Sequence, residues 1–159
     1  MLVKFKLDFI PRTLLTLMLA SALALFGGFA TASEAPITHS TGDTSLDWGA
    51  CPAFFPAGCH IAVLHGSPDM PNVDVFFKVP GHYDFPWHTH TSAERMILIS
   101  GELDVTYEGH EQVSLKSGMY AYGPAAAVHT ASCISDEPCI LFIAFEKPLD
   151  AMESARPAP

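Results

Sequence analysis

The seven residues from Glu102 to Glu108 constrain the fold most. Leu103, Val105 and Tyr107 alternate with Glu102, Asp104, Thr106 and Glu108, a period of two that belongs to a strand with one face buried. Short segments of similar strand character recur along the chain at Ile61–His65, Asp74–Val79, Tyr83–His90, Arg95–Ser100, Gln112–Lys116, Met119–Tyr122, Val128–Cys133 and Ile140–Glu146. Turn-forming residues separate them: Gly66-Ser67-Pro68, Pro80-Gly81, Gly109-His110, Ser117-Gly118 and Asp136-Glu137-Pro138. Val75–Val79 and Ile140–Phe145 are nearly continuous apolar runs, the pattern of strands covered on both faces. Together with Glu102–Glu108 these make about nine short strands at regular spacing, which predicts an all-β sandwich or barrel. There is no internal repeat, no low-complexity stretch and no amphipathic helical pattern to set against it.

The start of the chain reads as a targeting signal rather than as part of that fold. Lys4, Lys6 and Arg12 precede an apolar run from Leu14 to Phe26, which Gly27 and Gly28 interrupt, and Ala30-Thr31-Ala32 fits the A-x-A cleavage pattern. The expectation is a signal peptide over residues 1–32, cleaved after Ala32. The run is shorter than the roughly 20 apolar residues a membrane span needs. No cysteine marks a lipoprotein site and no Arg-Arg pair precedes the run, so ordinary export to a secreted or periplasmic location follows, with no stable membrane anchor after cleavage. Residues 33–47 are small and polar and read as a flexible lead-in. Trp48–Gly58 reads as an irregular flap against the barrel, residues 48–149 as the barrel domain, and residues 150–159 as a C-terminal tail.

Charge removes one class of partner. Ser33–Pro159 holds five bases (Lys78, Arg95, Lys116, Lys147, Arg156) against 16 acids, a balance of −11. Such a surface repels phosphate backbones and anionic lipids, so nucleic acid is not an expected partner. Four cysteines, Cys51, Cys59, Cys133 and Cys139, can pair in three ways, and spacing does not choose among them. In an oxidising compartment disulfides are their expected fate. Local pairs, Cys51 with Cys59 and Cys133 with Cys139, are preferred, since no C-x2-C spacing favours zinc.

The chemistry concentrates at His88-Thr89-His90 and Glu94. Residues two apart on a strand share a face, with Cα atoms about 6.5 Å apart. Two imidazoles so placed can converge on one ion at about 2.1 Å. Thr91-Ser92-Ala93 leaves room for a turn, after which Glu94 can open the next strand facing the same interior. A fourth ligand has to come from elsewhere, and His129, in the strand-like VHTAS, is the best candidate. Cys133 lies four residues beyond it, about 13 Å along a straight strand, too far to share the ion. His60, His65, His82 and His110 have no carboxylate at ligand spacing, and His39 falls in the lead-in.

Two stretches resemble the paired motifs of the cupin superfamily. Gly81–Gly101 is similar to the first, with Gly, His-x-His, Glu and Gly in order and one extra residue between Gly81 and His88. Gly118–Ser132 is similar to the second, supplying Gly118, Pro124 and His129, with Ala126 where the family usually has Gly and Cys133 where it usually has Asn. The resemblance implies a small single-domain cupin, a jelly-roll β-barrel. It implies one divalent transition metal held by His88, His90, Glu94 and His129, with Fe, Mn or Ni favoured and Zn or Cu admissible.

Phe76, Tyr83, Phe85, Trp87, Met96, Tyr120 and Tyr122 are candidates to line a pocket over the metal, although aromatics in such numbers are more often core. Strand parity puts Phe85 and Trp87 opposite His88 and His90, points Arg95 away from Glu94, and sets Met96 and Leu98 on the face of Glu94. The functional expectation is an exported, metal-dependent oxidoreductase of dioxygenase type acting on a small organic molecule, with Glu94 doubling as a base. A non-catalytic binding module and a metal-dependent isomerase or lyase are the alternatives. A homodimer through a strand edge near Ile140–Phe145 is a further expectation.

Overall fold

Alternating patterns this short can bury their apolar faces only against one another, and two sheets facing across a common core are the result. The structure is a computed structural model that describes residues 34–158. The expected signal peptide lies outside those residues. The chain divides after Ile37, and the unit beginning at Thr38 holds every strand. One sheet runs in the order β1 (Trp48–Ala50), β2 (His60–His65), β3 (Val73–Val79), β11 (Cys139–Phe145), β6 (Glu94–Ser100) and β9 (Tyr120–Gly123). The other runs β12 (Met152–Glu153), β5 (His88–Thr89), β10 (His129–Cys133), β7 (Glu102–Tyr107) and β8 (Val113–Lys116), with β4 (Tyr83–Asp84) also paired to β10. Every pairing is antiparallel, and no helix occurs among the described residues. This is the expected all-β fold, consistent with a cupin jelly roll.

The core lies between the sheets. Leu103 and Val105 of β7 point into it as their alternation requires, and Cys139, Leu141, Ile143 and Phe145 alternate with half-buried residues along β11. Val73, Val75, Val79 and Leu98 are fully buried there. On the outer face Phe76 and Phe142 stand directly opposite in the β3–β11 ladder, where an aromatic pair reinforces the sheet.

Both disulfides form as preferred, Cys51–Cys59 and Cys133–Cys139, and no described cysteine is free. Gly101 turns β6 into β7 with φ of 80°, and a Cβ there would meet Cys139 Sγ at 2.8 Å. The hairpin can therefore close against the second disulfide only with glycine.

Five details differ from the sequence reading. The segment expected as one strand, Tyr83–His90, is two, because Pro86 cannot donate to a ladder and the chain breaks around it. Trp48–Ala50, expected to be irregular, pairs with β2 through Trp48↔Ala62 and Ala50↔His60. Met152–Glu153, in the expected tail, pairs with β5 through Met152↔Thr89 and Glu153↔His88. Twelve strands replace about nine, the extra ones being too short to carry a periodic signal. Finally, β11 offers no edge for a homodimer, since β3 and β6 occupy both its sides.

Candidate metal centre

The ladders bring three histidines together from two distant stretches. His129 of β10 lies directly opposite His88 of β5, and their ring centroids are 4.2 Å apart. His90 follows two residues later, its ring 5.3 Å from that of His129. Each ring offers a nitrogen such that the three ligand atoms fall within 4.8 Å of one another, a group that could hold a metal ion. Glu94 opens β6 from the other sheet, with Oε1 at 3.3 Å from His90 Nε2 and Oε2 at 3.6 Å from His129 Nε2.

The outer nitrogen of each ring decides what the inner one can do. The His88 Nδ1 donor faces the Pro86 carbonyl at 2.8 Å, His129 Nδ1 faces the Ala127 carbonyl at 3.0 Å, and His90 Nδ1 donates to the Asp150 carbonyl. With Nδ1–H committed to a carbonyl, Nε2 is left as a lone pair aimed at the centre, the arrangement metal-ligating histidines require. The donor set thus fits a divalent transition metal: three imidazole nitrogens and one carboxylate.

Electrostatics agree. All four side chains are buried, with exposures of 4–8 %. Burial, reinforced by neighbouring imidazoles, pushes His88 down to about 3 and His129 down to about 4, so both rings are neutral at ordinary pH. Burial raises the Glu94 carboxyl above its usual range. A cation at the centre would reverse that tendency by stabilising the carboxylate.

Supports for the site come from the C-terminal segment, the flap and β7, none of which the sequence reading gave a part in holding the ligands. The C-terminal strap carries Asp150, whose carboxylate accepts from the Thr91 backbone N–H at 2.8 Å and from its hydroxyl at 2.6 Å while its carbonyl receives His90. The flap between Cys51 and Cys59 lays Phe55 against His88, ring centroids 5.1 Å apart. Tyr107 stacks on His129 at 5.0 Å, and its buried hydroxyl has no hydrogen-bond partner. Burial, and then the Glu94 carboxylate, raise that phenol further above its ordinary value. Its signal was present, since parity put it on the inner face with Leu103 and Val105.

Ala126, where a glycine is usual, has a positive φ of 61° and donates its N–H to the His90 carbonyl at 2.8 Å. The turn that delivers His129 therefore holds an L-residue in the left-handed region.

Above the centre lies a cavity of about 540 Å³, walled by residues of both sheets, the flap and the strap. Met96 lines it as parity suggested, whereas Leu98 is fully buried beside it in the core. Phe85 also lines it, contrary to the parity argument, because the break at Pro86 resets the alternation. Trp87 lies by a separate hollow, Phe76 faces outward, Tyr83 is core with its hydroxyl donating to the Pro56 carbonyl at 2.6 Å, and Tyr120 and Tyr122 are 58 % and 52 % exposed. The outlying histidines stay apart: His39 meets Asp43 at 3.1 Å and His82 meets Asp136 at 2.8 Å, while His60, His65 and His110 do not join the group.

Residues 75–145 match the family model Cupin_2, the cupin domain, and contain all four converging side chains. This part of the chain is therefore similar to the cupin domain. Among solved structures it is similar to the DMSP lyase DddQ from Ruegeria pomeroyi, with 18 % identity, a TM-score of 0.59 and coverage of 90 % of this chain and 95 % of that one. A chain from the crystal structures of the DMSP lyases RdDddP and RnDddQII gives 17 % identity and a TM-score of 0.61 over 69 % of this chain and 63 % of that one. Oxalate decarboxylase from Bacillus subtilis, a protein with Mn(II) centres, gives 20 % identity and a TM-score of 0.54 over 62 % of this chain. Only 28 % of that larger protein is spanned, and less than two thirds of the RdDddP and RnDddQII chain. At these identities the likeness is one of fold. No curated protein matches.

Proposed function

We propose that this protein is an exported, metal-dependent cupin enzyme acting on a small organic molecule, with His88, His90, Glu94 and His129 holding one divalent transition metal. The observation that carries the reading is the tautomer arrangement: Nδ1 of each histidine faces a backbone carbonyl, which leaves Nε2 free, and Nε2 of His90 and His129 stand 3.3 Å and 3.6 Å from Glu94. When bound, such an ion supplies Lewis acidity and, for Fe or Mn, redox chemistry with positions open to exogenous ligands. Three imidazoles and one carboxylate leave two of six positions uncommitted, which suits a dioxygenase-type reaction. Glu94, the one carboxylate among the four converging side chains, is the group on which a substrate proton would be held.

A lyase or isomerase reading has its own support. The Tyr107 hydroxyl lies close enough to Glu94 that a Cβ on Gly123 would touch both, at 2.5 Å and 3.1 Å. A phenol beside a carboxylate is a pair able to exchange protons with a substrate, and two fold neighbours are DMSP lyases. Export rests on the signal-like start of the chain, and the two disulfides are compatible with an extracellular location. Among the described residues no helix is long and apolar enough to cross a membrane.

The test is the visible spectrum of the cobalt-substituted protein during titration with azide. Saturable spectral change supports open coordination positions and an enzymatic site. A spectrum indifferent to azide contradicts the enzyme reading and leaves a metal that only braces the barrel.

A further inference from the structure

The three histidines of the centre do not secure their outer nitrogens in the same way. His88 and His129 each face a carbonyl two residues earlier in their own stretch, Pro86 and Ala127. That support is local and comes with the strand. His90 instead donates its Nδ1–H to the carbonyl of Asp150, 60 residues further along the chain. Its orientation therefore depends on a segment that has to arrive from elsewhere.

Asp150 grips two consecutive residues. Its carbonyl receives the His90 ring, while its carboxylate accepts from the Thr91 backbone N–H at 2.8 Å and from the Thr91 hydroxyl at 2.6 Å. The carboxylate thereby fixes where the carbonyl sits. The rest of the strap is tied lightly. Leu149 donates its N–H to the Pro68 carbonyl at 2.8 Å, Ser154 donates to the Trp87 carbonyl at 2.8 Å, and between them the two exposed residues of β12 pair with β5. An exposed segment held this way opens at a lower free energy than the barrel core. It also lies beyond Phe145, where the match to the cupin domain ends, and Leu149, Asp150 and Ala151 wall the cavity.

We infer that Asp150 is the positioning residue of His90, and that the C-terminal strap is a clasp whose docking sets the tautomer of that ring and with it the strength of metal binding. The part concerning metal rests on the reading of His88, His90, Glu94 and His129 as ligands; the part concerning the tautomer does not. With the strap docked, the Nδ1–H of His90 is committed and Nε2 is a lone pair for the centre. With the strap undocked, nothing holds the proton on Nδ1, and a neutral imidazole is free to carry it on Nε2, the nitrogen a metal would need. By reciprocity a bound ion favours the docked strap to the same degree.

The test reads His90 directly. Proton–nitrogen NMR correlations of the metal-free protein at about pH 8, above the ordinary histidine range, report which ring nitrogen carries the proton. His90 of the native protein is expected in the Nδ1–H form. In Asp150→Ala it should move toward the Nε2–H form while His88 and His129 stay unchanged. Zinc affinity, measured by competition with a chelator, should fall about tenfold or more in that variant. Asp150→Asn should restore the tautomer and return the affinity to within about threefold of native, because an amide can still accept from the Thr91 N–H and donate to its hydroxyl. Both variants remove the same charge, so this rescue separates hydrogen bonding from electrostatics. A His90 tautomer unmoved in Asp150→Ala overturns the inference, and so does a changed tautomer with unchanged zinc affinity. Native protein that binds no zinc, while His90 still responds to Asp150→Ala, overturns the metal reading and leaves Asp150 as the residue that orients His90.

Discussion

His88 and His129 stand directly opposite each other across the β5–β10 ladder, so that one backbone pairing joins the two halves of the candidate metal centre. Their rings are 4.2 Å apart, and burial keeps both neutral. That burial has a cost in acid. A histidine held down to about 3 or 4 when folded, against an ordinary 6.5, takes up its proton more readily in the unfolded chain. Its contribution is intact above pH 6.5 and is lost as pH falls toward the folded value. Glu94 works in the opposite sense, losing stability as pH rises above its ordinary 4.5. One carboxyl can offset at most one of the two histidines, so the metal-free protein should lose stability as pH falls below 6.5. Urea denaturation of metal-free protein across that range checks it; flat or rising stability on acidification would contradict the buried neutral histidines.

Gly123 and Tyr107 provide a packing test. A Cβ at position 123 would sit 2.5 Å from the Tyr107 hydroxyl and 3.1 Å from Glu94 Oε2. Gly123→Ala should therefore destabilise by about 1–3 kcal/mol. Tyr107→Phe alone removes a buried hydroxyl without a partner and should leave stability unchanged or raise it by up to about 1 kcal/mol. In the double variant the nearest Tyr107 ring atom to that Cβ lies at 3.4 Å, so most of the alanine penalty should disappear. Additive effects in the double-mutant cycle would contradict the close approach.

Ala126 is the one departure from the family motif whose consequence is visible in the backbone. With φ at 61° it occupies a region that is unfavourable for an L-residue by roughly 1–2 kcal/mol. Ala126→Gly relieves that strain but gives the unfolded chain more freedom, at about 0.4–1 kcal/mol. A small net rise in melting temperature is expected by calorimetry, and a fall would contradict the strained turn.

The flap is held by Cys51–Cys59, which closes a loop of sequence separation 8. Replacing both cysteines with serine should cost about 2–3 kcal/mol. It should also expose the segment around Phe54 and Phe55 to limited proteolysis, because that disulfide ties down the loop that rests on His88. A protease-resistant variant of unchanged stability would contradict this.

The parts of this architecture that were legible in the sequence are those carried by repetition. Leu103, Val105 and Tyr107 announced their strand because one face of β7 is wet, and His88-x-His90 announced its own by the same period. What escaped is carried by single contacts. Pro86 splits Tyr83–His90 and turns Phe85 into the cavity, a change of parity that no alternation count registers. Two-residue strands such as Met152–Glu153 are too short for any period, although this one brings Asp150 within reach of His90 and Thr91. The edge proposed for Ile140–Phe145 failed because an apolar strand reads alike at the edge and at the centre of a sheet.

The central claim is that four buried side chains hold one metal ion. Elemental analysis of the native protein, beside a His88→Ala/His90→Ala double variant, tests it most directly. About one equivalent of a single divalent transition metal in the native protein, absent from a variant that still folds, is the result this account predicts. Native protein that remains without metal after reconstitution with Fe(II), Mn(II), Ni(II), Zn(II) and Cu(II) in turn would contradict it.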